Sequence, residues 1–228
     1  MKKITFYDTE TTGLPVWKEP SGGENQPHLV QLSAIQCDFD TREILQRIDL
    51  IVRPNGWEIP QEVVEIHGIS TEKALSCGIP EIEVLSMMLR ICEDSIRVAH
   101  NRTFDQRIIR IGLKRYEFED SLIERWADKE THECTMLKAK PIMKLPPKGK
   151  WGWKNPKLEE AYKFFCGLEL GDKAHSSIYD TEACMAIYWA MLDYVEPEKV
   201  ENPCVECGKE WNTADGDSCP HCGNVIPF

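Results

Sequence analysis

The chain has 228 residues, 42% of them hydrophobic, and a formal net charge of −11. This length fits one domain, or one domain with a small appendage, and the apolar share is enough for a core. The charge has the wrong sign for coating duplex DNA by charge alone, and no apolar run reaches the roughly 18 residues that a membrane span needs.

Residues 2–8 alternate, with Ile4, Phe6 and Asp8 on one face, and read as a strand. Asp8 and Glu10 follow the basic start Met1-Lys2-Lys3 too soon for a signal peptide, so a cytoplasmic protein is expected. A polar loop, 15–27, leads to two further strands at 29–39 and 44–53, joined by a hairpin turn at Phe39–Glu43. The spacing then predicts helices over 60–67, ending at Gly68, and over 80–93, where Val84, Leu85, Met88, Leu89 and Cys92 share a face. A short buried strand at 95–100 follows, then helices at 103–115, 158–165 and 176–195. A hairpin sheet followed by helices and a buried strand predicts an α/β domain over 1–195. Its mixed sheet has three antiparallel first strands and flanking helices. Residues 196–203, charged and with two prolines, read as a linker to a cysteine-rich tail at 204–228.

Several carboxylates lie where apolar side chains belong. Asp8 and Glu10, two apart on a strand, project to one side, roughly 7 Å from each other. The competing reading ends the strand near Tyr7 and makes Asp8 a turn or cap residue. Asp105 shares an i, i+3, i+4, i+7 row with Ile108, Ile109 and Gly112. Asp180 heads the stripe Cys184, Ile187, Tyr188, Met191, Leu192 and Val195, and His175 precedes it by five residues. Alone, Asp105 reads equally as a helix-dipole partner and His175 as a loop or cap residue. Together, four inward carboxylates and a histidine suffice for two divalent metals and a general base, which points to phosphodiester hydrolysis.

These residues resemble a known family. Asp8-Thr9-Glu10-Thr11-Thr12-Gly13-Leu14, His100-Asn101-Arg102-Thr103-Phe104-Asp105, and His175 with Asp180 resemble the three motifs of the DEDD 3′→5′ exonucleases, which are DnaQ-like with a ribonuclease-H-like fold. Val64–Ile69 resembles their His-Gly-Ile segment. The H-x4-D spacing matches the histidine form, because Ser176 stands where the other form has tyrosine. The resemblance implies catalytic residues Asp8, Glu10, Asp105, His175 and Asp180, with the four carboxylates on two Mg²⁺ or Mn²⁺ ions and His175 as general base. It implies release of nucleoside 5′-monophosphates from 3′ ends, and substrate contacts at Thr11, Leu14, His67, Asn101 and Phe104, of which Phe104 reads equally as core.

Residues 138–157 hold seven lysines and no acid. They read either as a solvated loop or as a groove tracking single strands, with Lys148, Lys150, Trp151 and Lys154 as contacts. Cys204, Cys207, Cys219 and Cys222 form two C-x2-C-Gly knuckles, a pattern for one structural zinc, and resemble a zinc ribbon. Such a tail suits docking to a polymerase or other replication component, or simple capping of the C-terminus. The expected function is 3′→5′ hydrolysis of DNA, single-stranded above all, in proofreading or end processing during replication or repair. Trimming of RNA 3′ ends, and a partner-recruiting module with a vestigial nuclease site, are the alternatives.

Overall fold

The computed structural model describes residues 1–146, 152–171, 176–195, 201–203, 210–212 and 222. The chain divides into two compact units, Met1–Leu192 and Asp193–Phe228. In the second, strands β7 (Glu201–Pro203) and β8 (Glu210–Asn212) pair antiparallel. β7 begins within the stretch expected as a linker.

The first unit is built on a six-stranded sheet in the order β4-β3-β2-β1-β5-β6. Strands β1 (Lys3–Thr11), β2 (Leu29–Asp38) and β3 (Ile44–Arg53) pair antiparallel, as the hairpin pattern predicts. β5 (Ser95–Ala99) and β6 (His132–Cys134) then add parallel strands beside β1, and the two-residue β4 (Ile79–Pro80) adds one beside β3. The expected mixed α/β sheet is present. β1 is longer than the 2–8 stretch predicted for it, and its extra residues carry Glu10 on the strand.

Alternation along β1 sorts its side chains between two cores. Ile4 and Phe6 pack with Ile35, Cys37 and Val98 against Ile178, Cys184 and Tyr188 of α8 (Ser177–Leu192). Tyr7 faces the other layer, formed by α3 (Glu81–Ile91), α4 (Arg102–Arg115) and α5 (Asp120–Ala127), where it joins Val84, Leu85, Ile108, Ile109 and Trp126. Ile187, on the far side of α8, packs with Ala139 of α6 (Thr135–Met143) and Ala161 of α7 (Leu158–Cys166). The predicted stripe on α8 holds as far as Met191, which packs beside Ile187. Leu192 is 50% exposed.

The helix expected over 60–67 is α1 (Gln61–His67), and it ends at Gly68. Short elements beyond it were not anticipated: α2 (Thr71–Cys77) follows, and α5, β6 and α6 fill 120–143. The lysine-rich stretch therefore begins on a helix instead of in an open loop. Among the described residues no helix is long and apolar enough to cross a membrane.

Candidate active site

The site forms where the end of β1 meets the first turn of α8. Asp8 and Glu10 continue the row of Ile4 and Phe6, so they emerge on the α8 side of the sheet. The Ser177 hydroxyl donates to the Asp8 carbonyl at 2.8 Å, and the Thr181 hydroxyl donates to the carbonyls of Ser177 and, at 3.5 Å, Ser33 on β2. These bonds tie the helix start to two strands and bring Asp180 to the two carboxylates. Asp8, Glu10 and Asp180 each offer an oxygen within 4.8 Å of the others.

Asp105 comes from the opposite layer. Asn101 adopts a left-handed conformation, φ 60°, which asparagine tolerates better than most residues, and turns the chain from β5 into α4. Asp105, buried in the first turn, accepts both the backbone N–H of Thr9 (3.1 Å) and its hydroxyl (2.8 Å) on Oδ1. Thr9 points opposite to Asp8 and Glu10, so β1 presents carboxylates on one side while holding a third from the other.

Four carboxylates in a partly buried setting repel one another. Burial first, then the charges of Asp105, Glu10 and Asp180, hold the Asp8 carboxyl well above the usual carboxylate range. Burial and the charges of Asp180 and Asp105 push Glu10 up to about 8. Burial pushes Asp105 up to about 7 against the opposing effect of the Thr9 hydrogen bonds. Among the described residues no lysine or arginine forms an ion pair with Asp8, Glu10 or Asp105. An all-oxygen, mutually repelling donor set fits a hard divalent cation.

The other expected residues are distributed unevenly. His175, Lys148, Lys150 and Trp151 lie outside the described residues, as do Cys204, Cys207 and Cys219; Cys222 is exposed in a turn. Leu14, just beyond β1, is 78% exposed. The Thr11 hydroxyl is turned onto the Gly13 carbonyl at 2.7 Å, which shapes the exit of β1. His67 accepts the Ile69 N–H on Nδ1, which leaves its proton on Nε2, and burial lowers its pKa against the raising influence of the Thr11 carbonyl. Phe104 is half-buried and packs onto the core, which is its alternative reading. The Lys154 ammonium forms an ion pair with Glu160 in the first turn of α7. Two more lysines of that stretch are also paired, Lys138 with Glu133 and Lys157 with Glu159.

His100 is a brace. Its Nε2–H donates to the Pro156 carbonyl at 3.1 Å, Nδ1 meets the Thr135 hydroxyl at 2.9 Å, and burial lowers its pKa to about 4. Sequence reasoning missed Thr9, Ser177 and Thr181 as positioning residues, because their partners are distant in the chain. It also missed the clamp on the loop after β1. Arg107, Arg110 and Arg115 of α4 bond Val16, Glu19, Ser21, Gln26 and Pro27, and the Arg107 guanidinium sits 4.9 Å from the Trp17 ring. The helix that carries Asp105 thus also fixes the loop that carries Leu14.

A family model described as exonuclease, RNase_T, matches residues 5–188. The chain belongs to this exonuclease family. Its match spans all of β1 from Thr5 and ends within α8, so it includes all four site carboxylates. Among curated relatives, ribonuclease T of Actinobacillus pleuropneumoniae serotype 5b (strain L20) is 24% identical over 209 residues, covering 82% of each chain. A PolC-type DNA polymerase III of Thermotoga maritima is 33% identical over 112 residues, 49% of this chain and 7% of the polymerase. The fold is that of E. coli exonuclease I, whose structure with a dA16 oligonucleotide superposes with a TM-score of 0.62 at 18% identity. That match covers 85% of this chain, which spans only 41% of the exonuclease I chain.

Proposed function

We propose that this exonuclease-family chain removes nucleotides from the 3′ ends of single-stranded DNA, releasing nucleoside 5′-monophosphates. The observation that carries this reading is the convergence of Asp8, Glu10 and Asp180 within 4.8 Å, with Asp105 held opposite by Thr9. Asp8, Glu10 and Asp180 would hold one Mg²⁺ or Mn²⁺ ion and Asp8 with Asp105 a second. When bound, such ions supply Lewis-acid stabilisation of the phosphate and lower the pKa of water. The chain's own residues do the rest. Thr9 fixes Asp105, and Ser177 and Thr181 fix Asp180 by pinning its helix. Leu14, presented by the clamped loop, contacts the terminal nucleotide, and His67 and Asn101 border it. His175, five residues before Asp180, takes the proton from the attacking water. It does so only when neutral, so the rate rises with pH through its pKa.

Support for DNA comes from exonuclease I, solved with DNA oligonucleotides, and from the PolC-type match, which fits a role in proofreading or end processing. A second reading, trimming of RNA 3′ ends, is favoured by the ribonuclease T relatives, which match over most of both chains. Labelled DNA and RNA of identical sequence, degraded side by side with Mg²⁺, separate the two. The proposal expects faster loss of DNA, and a His175→Ala loss of roughly 10²–10⁴-fold on the preferred substrate. Preference for RNA by tenfold or more replaces it with the second reading.

The tail is proposed to hold one zinc ion through Cys204, Cys207, Cys219 and Cys222, and to dock a polymerase or other replication protein. The strand pair β7–β8 brackets the first two cysteines in sequence, as a ribbon requires. Metal analysis of purified protein should find one zinc per chain, falling to a small fraction in Cys204→Ser. Equal zinc in both removes the assignment. The cytoplasm remains the proposed location.

A further inference from the structure

A second cleft opens at the other end of the strands. The parallel pair β1 and β5 places Lys3 opposite Ser95 and Thr5 opposite Arg97. Their first residues line a cavity of ≈ 300 Å³ together with Arg125, Trp126 and the chain that follows α3. Asp8 lies further along β1 by about 17 Å at strand rise, so this cleft is no part of the carboxylate site.

Its wall contains a cation that the fold leaves incompletely satisfied. Arg97 is only 5% exposed. One terminal nitrogen donates to the Arg125 carbonyl at 3.1 Å, and the guanidinium lies 5.0 Å from the Trp126 ring. Its Nε, also buried, has no acceptor among the described residues, and no carboxylate among them forms an ion pair with it. Burying a guanidinium is costly unless its charge and donors are met. Burial lowers the pKa of this arginine, against the raising influence of Cys92, Tyr7 and, beyond ion-pair distance, the Asp128 carboxylate. A carbonyl and a ring face offset part of the cost, and the cavity beside the group is large enough to admit a compact ligand.

We propose that this cleft binds a small oxyanion, inorganic phosphate or the phosphate of a mononucleotide, with Arg97 as its central contact and Lys3 and Arg125 at its rim. The planar guanidinium fork matches the oxygens of such an anion, and its donors are fixed before the anion arrives. Glu93, Asp94 and Glu130 also line the cleft, and Lys2 is engaged over the Phe39 ring at 3.9 Å. Three acids at the wall weigh against an extended polyanion and favour a compact one.

The test uses the full chain with no divalent cation added, so that no metal at the carboxylate site can hold the anion. Phosphate, or a nucleoside 5′-monophosphate, is titrated at ionic strength held constant with chloride. The proposal expects saturable stabilisation, about 5 °C in Tm at a hundredfold excess over Kd. It also expects one arginine Nε–Hε signal, missing from Arg97→Lys, to shift with the same Kd. Arg125→Gln, at the exposed rim, should weaken binding at least fivefold, which keeps the test decisive should the Arg97 variant not fold. Tighter binding of the nucleotide than of phosphate identifies the nucleotide as ligand, and equal affinity identifies the bare anion. No saturable change below 10–20 mM (about the weakest binding that would matter, Kd near 10⁻² M), or equal binding by wild type and Arg125→Gln, overturns the proposal.

Discussion

At the residue scale, the carboxylates of β1 place function in conflict with stability. Glu10 keeps its proton to about pH 8 and Asp105 to about pH 7 in the folded chain, whereas the unfolded chain releases them near 4.5 and 3.8. Both folded values are raised, so the native state binds more protons than the unfolded state throughout that interval. Stability is therefore greatest below about pH 4 to 5 for these groups and is lost as pH rises toward 8. A divalent cation reverses the sign by favouring the ionised forms. We expect Tm of the metal-free protein to fall between pH 5.5 and 8.5, less steeply in Glu10→Gln, and Mg²⁺ or Mn²⁺ to raise Tm at pH 8.5 far more than at pH 5.5. Equal slopes in wild type and Glu10→Gln would contradict the electrostatic account. This conflict was legible in the sequence as a broken pattern, because Asp8, Asp105 and Asp180 each stand where an apolar residue would continue a row. The Thr9–Asp105 bond was not, since it joins residues 96 apart and neither is unusual locally.

At the element scale, α4 does several tasks at once. It supplies Asp105, anchors the loop after β1 with three arginines, and packs on α3 through Gly112. A Cβ at Gly112 would meet Leu85 Cδ1 at 2.7 Å, and Leu85 is fully buried. Gly112→Ala should therefore destabilise the fold by about 1–3 kcal/mol despite alanine's better helix propensity. Chemical denaturation measures this, and a stabilised variant would show that the α3–α4 contact yields freely. The buried Glu81 works alongside, joining His28, Leu29, Arg115 and Tyr116 across the same helix pair. The long elements were readable because each carries a sustained apolar stripe. α5 buries only Ile123 and Trp126, α2 buries only Ala74, and α6 has Pro141 in its interior, so none shows a periodicity that outweighs its polar surroundings.

At the scale of the whole molecule, the sheet separates two chemistries. The end of β1 carries acids toward α8, and the start of β1 and β5 carries a buried arginine toward the opposite cleft. The antiparallel hairpin beside parallel strands fixes this polarity, because β1 is shared by both arrangements. The mixed topology was readable from a hairpin sheet followed by helices and a buried strand. The pairing of β5 and β6 was not, because it depends on chain reversals through α4 and α5 that carry no local signature. The most direct measurement is a time course on oligonucleotides labelled at either the 5′ or the 3′ end, with Mg²⁺ or Mn²⁺, for wild type and Asp8→Ala. The account predicts a one-nucleotide ladder from the 5′-labelled strand, immediate release of labelled mononucleotide from the 3′-labelled strand, and neither with a folded Asp8→Ala protein. A ladder from the 3′-labelled strand, or wild-type rates in Asp8→Ala, would contradict it.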